Sequence, residues 1–297
     1  AIVIIILGLF LGMTIGELFT VAVAAAVAAV PEGLPIVVTV TMAIGISRMA
    51  RRNAIIRKLP AVETLGSTTI ICSDKTGTLT KNEMTVKAVF DGHHGFEVTG
   101  SGYDPEGEIL HDWEPTDLES LKGLHIVLRI GLLCNESRMI MEKDRIAVDG
   151  DPTEGALIVS AMKAGLDHEK ERADYPQVGI IPFESDRGFM ATLHSHNNGA
   201  IIFLKGAPER VLEMCSHMPS GEKIDVTKIM TTAERFAEDG LRVLAMAYRE
   251  LTPHEVPEKF THDSLGKNLI FAGLQGMIDP PRPQAIEAVE RCKGPGI

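Results

Sequence analysis

The run Cys72-Ser73-Asp74-Lys75-Thr76-Gly77-Thr78-Leu79-Thr80 holds the residue types that an acceptor of phosphate needs. A carboxylate such as that of Asp74 can attack phosphorus and form an acyl phosphate, splitting one transfer into two easier steps. The backbone after it must turn tightly, which Gly77 permits. The hydroxyls of Thr76 and Thr78, with nearby N–H groups, can hold phosphate oxygens, and Lys75 adds positive charge as negative charge develops. An ordinary strand-to-loop turn is the plainer reading of such a run. Against it stands the β-branched cluster from Thr68 to Ser73, which reads as a buried strand ending at Asp74. That end of a strand is where open α/β sheets bind ligands.

A second carboxylate, Glu32, lies in Pro31-Glu32-Gly33-Leu34-Pro35 within an apolar region. Residues 1–47 contain only two charges, Glu17 and Glu32, whereas residues 48–58 carry five basic groups: Arg48, Arg51, Arg52, Arg57 and Lys58. Ala1 to about Met13 reads as the end of one membrane helix. The run from Leu18 to Met49 would reach roughly 48 Å at about 1.5 Å per residue, against a ~30 Å hydrocarbon core, so it must extend beyond the bilayer or break within it. Each proline lacks an N–H and clashes with the carbonyl four residues back, so Val27 and Pro31 are expected to lose their helical partners. Freed carbonyls beside a carboxylate form a cation site. A proline kink with Glu32 hydrogen-bonded to a neighbouring helix is the alternative, disfavoured by the cost of an ionisable group in lipid. Arg48, Arg51 and Arg52 put the exit of this span on the cytoplasmic side.

These groups need elements to position them, and 297 residues at 45% hydrophobic content can supply two or three domains. The net charge of −11 arises almost wholly beyond residue 58, which argues against a nucleic-acid binder. Cys72, Cys134, Cys215 and Cys292 form neither a metal motif nor a disulfide framework. The chain opens inside an apolar run without an initiator Met, as a piece of something longer would. Asp91-Gly92 and Asn197-Asn198-Gly199 are turn signals between strand-like runs, the second joining 189–193 to 200–204. Helices are predicted at Leu118–Cys134, Thr153–Ala164, Pro208–Cys215 and Thr231–Glu238. After Pro280, Pro281 and Pro283 an amphipathic helix follows, with Ile286, Val289 and Cys292 at three-residue spacing. His93, His94, His194 and His196 lie near turns and read as surface residues.

Asp74-Lys75-Thr76-Gly77-Thr78 resembles the phosphorylation motif of P-type ATPases, and residues 17–86 resemble that family's fourth membrane helix and linker. Downstream, Asp151-Pro152-Thr153-Glu154, Lys205-Gly206-Ala207-Pro208-Glu209, Gly240-Leu241-Arg242 and Met277-Ile278-Asp279-Pro280-Pro281-Arg282 are similar to its nucleotide-domain and hinge motifs, in the family's order. The resemblance implies a multidomain α/β protein: membrane helices, a partial haloacid-dehalogenase-like, Rossmann-like phosphorylation domain, and an inserted α+β antiparallel-sheet nucleotide-binding domain. The implied boundaries are 1–52 for the membrane helices, 53–84 for the first part of the phosphorylation domain, 85–278 for the nucleotide domain, and 279–297 for the hinge and second part.

By the same resemblance Asp74 is the phosphorylated nucleophile, Mg²⁺ joins Asp74 and Thr76, and ATP is the substrate. Phe183 would stack on adenine, Glu154 would meet its edge, and Lys205 and Gly206 would line the pocket. Arg242, Asp279 and Arg282 would lie nearer the phosphates and ribose. Rival readings exist for most. Glu154 could close a capping box begun by Asp151 with Pro152 at the first helical position, Lys205 and Arg242 could be solvated charges, and Phe183 could be core. Ser185 and Gly188 are uncharged where the animal calcium pump has basic residues, and Arg187 is expected to compensate. The sequence Pro31-Glu32-Gly33-Leu34-Pro35 resembles the calcium-pump version of its motif, so the carbonyls of Val27, Ala28 and Val30 would join Glu32 around a transported cation. Ca²⁺ suits such hard oxygens, with Na⁺, K⁺ or another cation the alternative.

The function implied is ATP-driven cation transport through an aspartyl phosphate. The partners are the cation, a lipid bilayer and the remainder of the chain, in the plasma membrane of a prokaryote with the soluble domains cytoplasmic. A haloacid-dehalogenase-like phosphatase is a rival, but such enzymes place a second aspartate two residues after the nucleophile, and Thr76 stands there. A non-catalytic nucleotide-binding module is the third reading. Because Thr-Gly-Asp and the later Gly-Asp-Gly run are absent from these residues, the 297 residues alone are expected neither to turn over ATP nor to transport.

Overall fold

A computed structural model describes residues 2–31, 33–58, 60–116, 121–142 and 145–294. They form two compact units, Ala1–Cys72 with Arg291–Ile297, and Ser73–Glu290.

In the first unit, α1 (Ile2–Phe10) and α2 (Ile15–Ala28) form a helical pair in which Leu18 packs on Gly8, where any Cβ would collide with it. The N–H of Thr14, which precedes α2, donates to Glu17 at 2.8 Å, so this carboxylate serves the helix start. α3 (Gly33–Ala50) buries no residue, and Ile36 and Val37 stand open on it. A helix apolar all round belongs in lipid or against other helices, and Ile15–Ala50 is one stretch long and apolar enough to cross a membrane. The predicted break falls where expected, between the end of α2 at Ala28 and the start of α3 at Gly33. The carbonyls there differ from expectation. That of Val27 accepts the N–H of Val30 at 3.1 Å and that of Pro31 accepts the N–H of Leu34 at 3.0 Å, tighter turns replacing the lost bonds. Glu32 lies outside the described residues. A short helix, α4 (Pro60–Gly66), follows.

The strand predicted at Thr68–Ser73 is not formed, and Ile70 and Ile71 are 76% and 60% exposed. A strand exists only by pairing, and none of the described segments pairs with this one.

The second unit is organised by an antiparallel sheet. Its strands are β1 (Thr85–Phe90), β2 (Gly95–Val98), β3 (Ile109–His111), β4 (Glu114–Pro115), β7 (Gln177–Glu184), β8 (Phe189–His196), β9 (Gly199–Gly206), β10 (Cys215–His217), β11 (Arg242–Leu251) and β12 (Leu269–Ile278). They lie in the order β4-β3-β2-β1-β12-β11-β9-β8-β7, with β10 pairing parallel to β12. β5 (Arg138–Glu142) and β6 (Arg145–Asp149) form a separate hairpin. Both predicted turns join neighbouring strands. Asn197 and Asn198 take positive φ, 46° and 63°, in the two-residue loop between β8 and β9, the geometry that asparagine tolerates.

Helices cover both faces. α5 (Lys122–Leu133) and α6 (Pro152–Lys163) bury Leu124, Leu128 and Leu157 against one face; α8 (Pro208–Leu212) and α9 (Val226–Glu238) bury Val211, Ile229 and Phe236 against the other. α7 (His168–Asp174) follows α6, and α10 (Pro283–Lys293) is the predicted amphipathic helix. The first three residues of the predicted helix, 118–120, lie outside the described residues. Buried Gln275 of β12 pins this layer: it accepts from the Ser160 hydroxyl at 2.9 Å and donates to the Val127 carbonyl at 3.2 Å. His194 departs from its expected place on the surface. It is 1% exposed, with Nδ1 2.8 Å from the Tyr175 carbonyl and Nε2 2.8 Å from the Thr192 hydroxyl. It shares a strand face with Met190 and Thr192, and that face is covered.

Candidate functional site

Strand alternation brings distant residues together. Along β9, Ile201 and Phe203 belong to the core under α5 and α6, while Ala200, Ile202 and Leu204 belong to the opposite core. Lys205, two residues beyond Phe203, therefore faces α6, in register with Met190 of β8 and Met246 of β11. Leu244 and Arg242 share that face of β11. Over these side chains stands the first turn of α6, which Asp151 caps by accepting the N–H of Thr153 at 2.7 Å, with Pro152 next. The result is a cavity of about 360 Å³ walled by Glu136, Ser137, Glu154, Phe183, Lys205 and Arg242. Phe183 is 60% exposed, so the core reading of this ring does not hold.

Glu154 does not close a capping box: the N–H of Asp151 goes to the Ser137 hydroxyl instead, at 2.9 Å. Its Oε1 takes the ammonium of Lys205 at 2.7 Å, and its Oε2 accepts the N–H groups of Glu136 and Ser137, each at 3.0 Å, and the Ser137 hydroxyl at 2.9 Å. Lys205 and Glu154 are only 8% and 13% exposed at their side chains, so neither is a solvated surface charge. Burial alone would push the Glu154 carboxyl up, but the charge and hydrogen bond of Lys205, the Glu136 amide and the Ser137 hydroxyl outweigh it. The group is held below the usual carboxylate range. Beneath the pair, burial drives the Cys134 thiol up to about 11, so this cysteine is an inert core group.

A second cleft of about 410 Å³ adjoins the first, sharing Asp151, Thr153 and Arg242 as walls; the Arg242 guanidinium donates to the Thr153 hydroxyl at 3.3 Å. It is lined also by Lys75, Thr76, Asn82 and Asp279. Asp74 precedes a tight π-type turn, Lys75–Leu79, in which Gly77 has φ 73°. The turn is closed by the N–H of Thr80, which donates to the Lys75 carbonyl at 3.1 Å. Asp74, Lys75, Thr76 and Thr78 all face solvent.

Three of the expected nucleotide residues have other partners. Arg187 pairs with Glu184 at 2.8 Å and lines neither cavity. Asp279 accepts the Thr80 hydroxyl and, at 3.3 Å, the N–H of Glu83. Arg282 donates to the carbonyls of Thr80 at 2.9 Å and Gly77 at 3.3 Å. Asp279 and Arg282 thus tie together the two chain segments that enter and leave the sheet. Asn135, Glu136, Ser137 and Thr80 were not among the residues singled out from the sequence. The polar run Asn135-Glu136-Ser137 directly after an apolar helix was the available signal.

An exposed aromatic beside a buried carboxylate–ammonium pair, on an antiparallel sheet entered through a Thr-Gly-Thr turn, defines a class. The chain belongs to the P-type ATPase family, whose model for the P-type ATPase cytoplasmic domain N matches residues 123–284. It is 51% identical over 290 residues to the cation-transporting ATPase pma1 of Synechocystis sp., an alignment covering 95% of this chain and 32% of that protein. The calcium-transporting ATPase of Bacillus subtilis is 37% identical over 307 residues, covering 100% of this chain and 34% of the relative. The human calcium-transporting ATPase type 2C member 1 is 42% identical over 307 residues, covering 99% and 31%. The chain thus spans about a third of the length of the curated relatives it matches.

Proposed function

We propose that the protein to which these residues belong is an ATP-driven cation pump that forms an aspartyl phosphate at Asp74. The carrying observation is that the two cavities adjoin, with Asp151, Thr153 and Arg242 forming walls of both. A base against Phe183 and the Glu154–Lys205 pair would direct its phosphates past Arg242 and Thr153 toward Lys75 and Thr76. A carboxylate oxygen of Asp74 attacks the terminal phosphorus, the bond to the bridging oxygen breaks, and ADP leaves with that electron pair. Asp74 and Thr76 offer oxygen donors on an exposed turn, which fits Mg²⁺, an ion that takes one or two protein oxygens together with substrate phosphates. When bound it would neutralise charge on the transferred group. Lys75 adds charge beside it, and Thr76, standing where a phosphatase has its general acid, leaves the acyl phosphate without a local proton donor for hydrolysis.

The transported ion in this reading is Ca²⁺, held by Glu32 and the carbonyls of Val27, Ala28 and Val30 at the break between α2 and α3. Support comes from the helix break itself and from the two relatives named as calcium-transporting. The relative from Synechocystis sp. is named only for cation transport, so Na⁺ or K⁺ is the competing cargo. The membrane would be the prokaryotic plasma membrane, with the sheet unit on the cytoplasmic side. In the full-length protein, terminally labelled ATP should give an acid-stable phosphoenzyme whose level depends on Ca²⁺. Asp74→Asn should abolish it; label surviving in that variant would sink the assignment, and label indifferent to Ca²⁺ would sink the choice of ion.

A further inference from the structure

The residue with the most to say about the base end of the cavity is one that need not touch the ligand. Ser137 is 1% exposed and its hydroxyl has both roles committed. It accepts the N–H of Asp151 at 2.9 Å, and its single proton goes to Oε2 of Glu154 at 2.9 Å, the Asp151 carbonyl being farther at 3.5 Å. Its own N–H is shared between that same Oε2 and the side-chain oxygen of Asn135, at 3.0 and 2.9 Å. The amide of Asn135 in turn donates to the Glu154 carbonyl at 2.9 Å and to the Gly131 carbonyl at 3.1 Å, fixing the loop to α5 and α6. Gly150 completes the fit, since a Cβ there would collide with the Ser137 side chain.

This arrangement distinguishes the two oxygens of Glu154. Oε2 has three donors and is saturated. Oε1 has Lys205 alone and keeps acceptor capacity for a group in the cavity. We propose that Ser137 is a positioning residue: by holding Oε2 it fixes Glu154 so that Oε1 accepts an N–H from the ligand, and it thereby sets the preference for a 6-amino over a 6-oxo purine. A carbonyl at that position would face a carboxylate with no proton between them, an unpaired contact in a confined site. The inference rests on the nucleotide reading above and adds the residue that enforces it.

The test is competition of ATP and ITP against a fluorescent trinitrophenyl nucleotide on the full-length protein. Wild type should bind ATP more tightly than ITP. Ser137→Ala should weaken ATP about tenfold while ITP stays within about twofold, the size of a hydrogen bond to a charged group. Ser137→Cys, close in size but a weak donor, should move the same way. Because the hydroxyl helps keep Glu154 ionised, the acid limb of ATP binding should shift to higher pH in both variants. If Ser137 acts through Glu154, adding Ser137→Ala to Glu154→Gln should leave the ATP-to-ITP ratio where Glu154→Gln alone puts it. Equal weakening of both nucleotides, an unmoved acid limb, or an additive double variant would overturn the proposal and assign Ser137 a structural or direct-contact role. If unaltered protein releases the probe to neither nucleotide, the nucleotide reading itself falls and takes this inference with it, an outcome seen before any change at Ser137.

Discussion

The Glu154 end of the cavity and the Asp74 turn contrast in how each carboxylate is kept. Glu154 is mostly buried, and both its oxygens are engaged by a lysine, two backbone amides and a hydroxyl. Asp74 faces solvent at the mouth of a turn whose hydrogen bonds are made by Thr80 and Lys75. A group that recognises a ligand benefits from being fixed before the ligand arrives. A group that must form and lose a covalent bond has to remain reachable. The first carboxylate is held directly by its neighbours, whereas the second sits free at the start of a turn that Asp279 and Arg282 fix from the far end of the unit.

The contrast breaks most sharply if Asp74→Asn, which should lose all phosphoenzyme, also loses ATP binding. Unchanged affinity in that variant is the outcome expected if recognition and chemistry reside in separate groups. Next in size is Lys205→Met, which strands a buried carboxylate and should cost about 3 kcal/mol, read as a lower urea midpoint. Adding Glu154→Leu should restore most of that loss while leaving ATP unbound. Phe183→Ala should lower ATP affinity about tenfold, within the range for a base stacked on an aromatic ring. Stability should change by less than about 0.5 kcal/mol, because the ring is already open to solvent. The smallest effect is one of pH. Burial lowers the His194 pKa, so its neutral form is the one compatible with the fold, and stability is full above its ordinary 6.5 and declines as pH falls below that value. His194→Gln should reduce the slope of stability against pH below 6.5 without removing it, since His125 and His168 are lowered by burial too.

Much of the sheet unit was legible because its signals are local. Asn197-Asn198-Gly199 demands a two-residue hairpin, and Pro152 after Asp151 marks the start of α6. Glu154, Phe183, Lys205 and Arg242 were recognisable as a set, and the strand order β11-β9-β8-β7 gathers their strands, with α6 laid over them. What was not legible depends on partners. The β-branched run at Thr68–Ser73 has strand composition, but composition cannot provide a neighbour to pair with. Arg187 was expected at the ligand, and the partner it has here is Glu184, three residues away on the surface. The cradle of Glu154 escaped because two of its donors are backbone N–H groups, identical in every residue but proline. His194 was misjudged by its closeness to a turn; its alternation with Met190 and Thr192 was the better guide.

β1 and β12 are neighbours, with Thr85 opposite Ile278, and just outside them Asp279 and Arg282 bind the strand of chain around Thr80. The sheet unit's two ends therefore leave side by side. For the flanking residues, the folded sheet acts as a bridge only a few residues wide, sparing about 3 kcal/mol of the entropy that closing an unstructured loop of the same length would demand. Such a module can be lengthened, trimmed or exchanged between chains while the segments on either side keep their places. The isolated bridge between Thr80 and Pro281 closes the gap between those two ends, just outside the last paired strands.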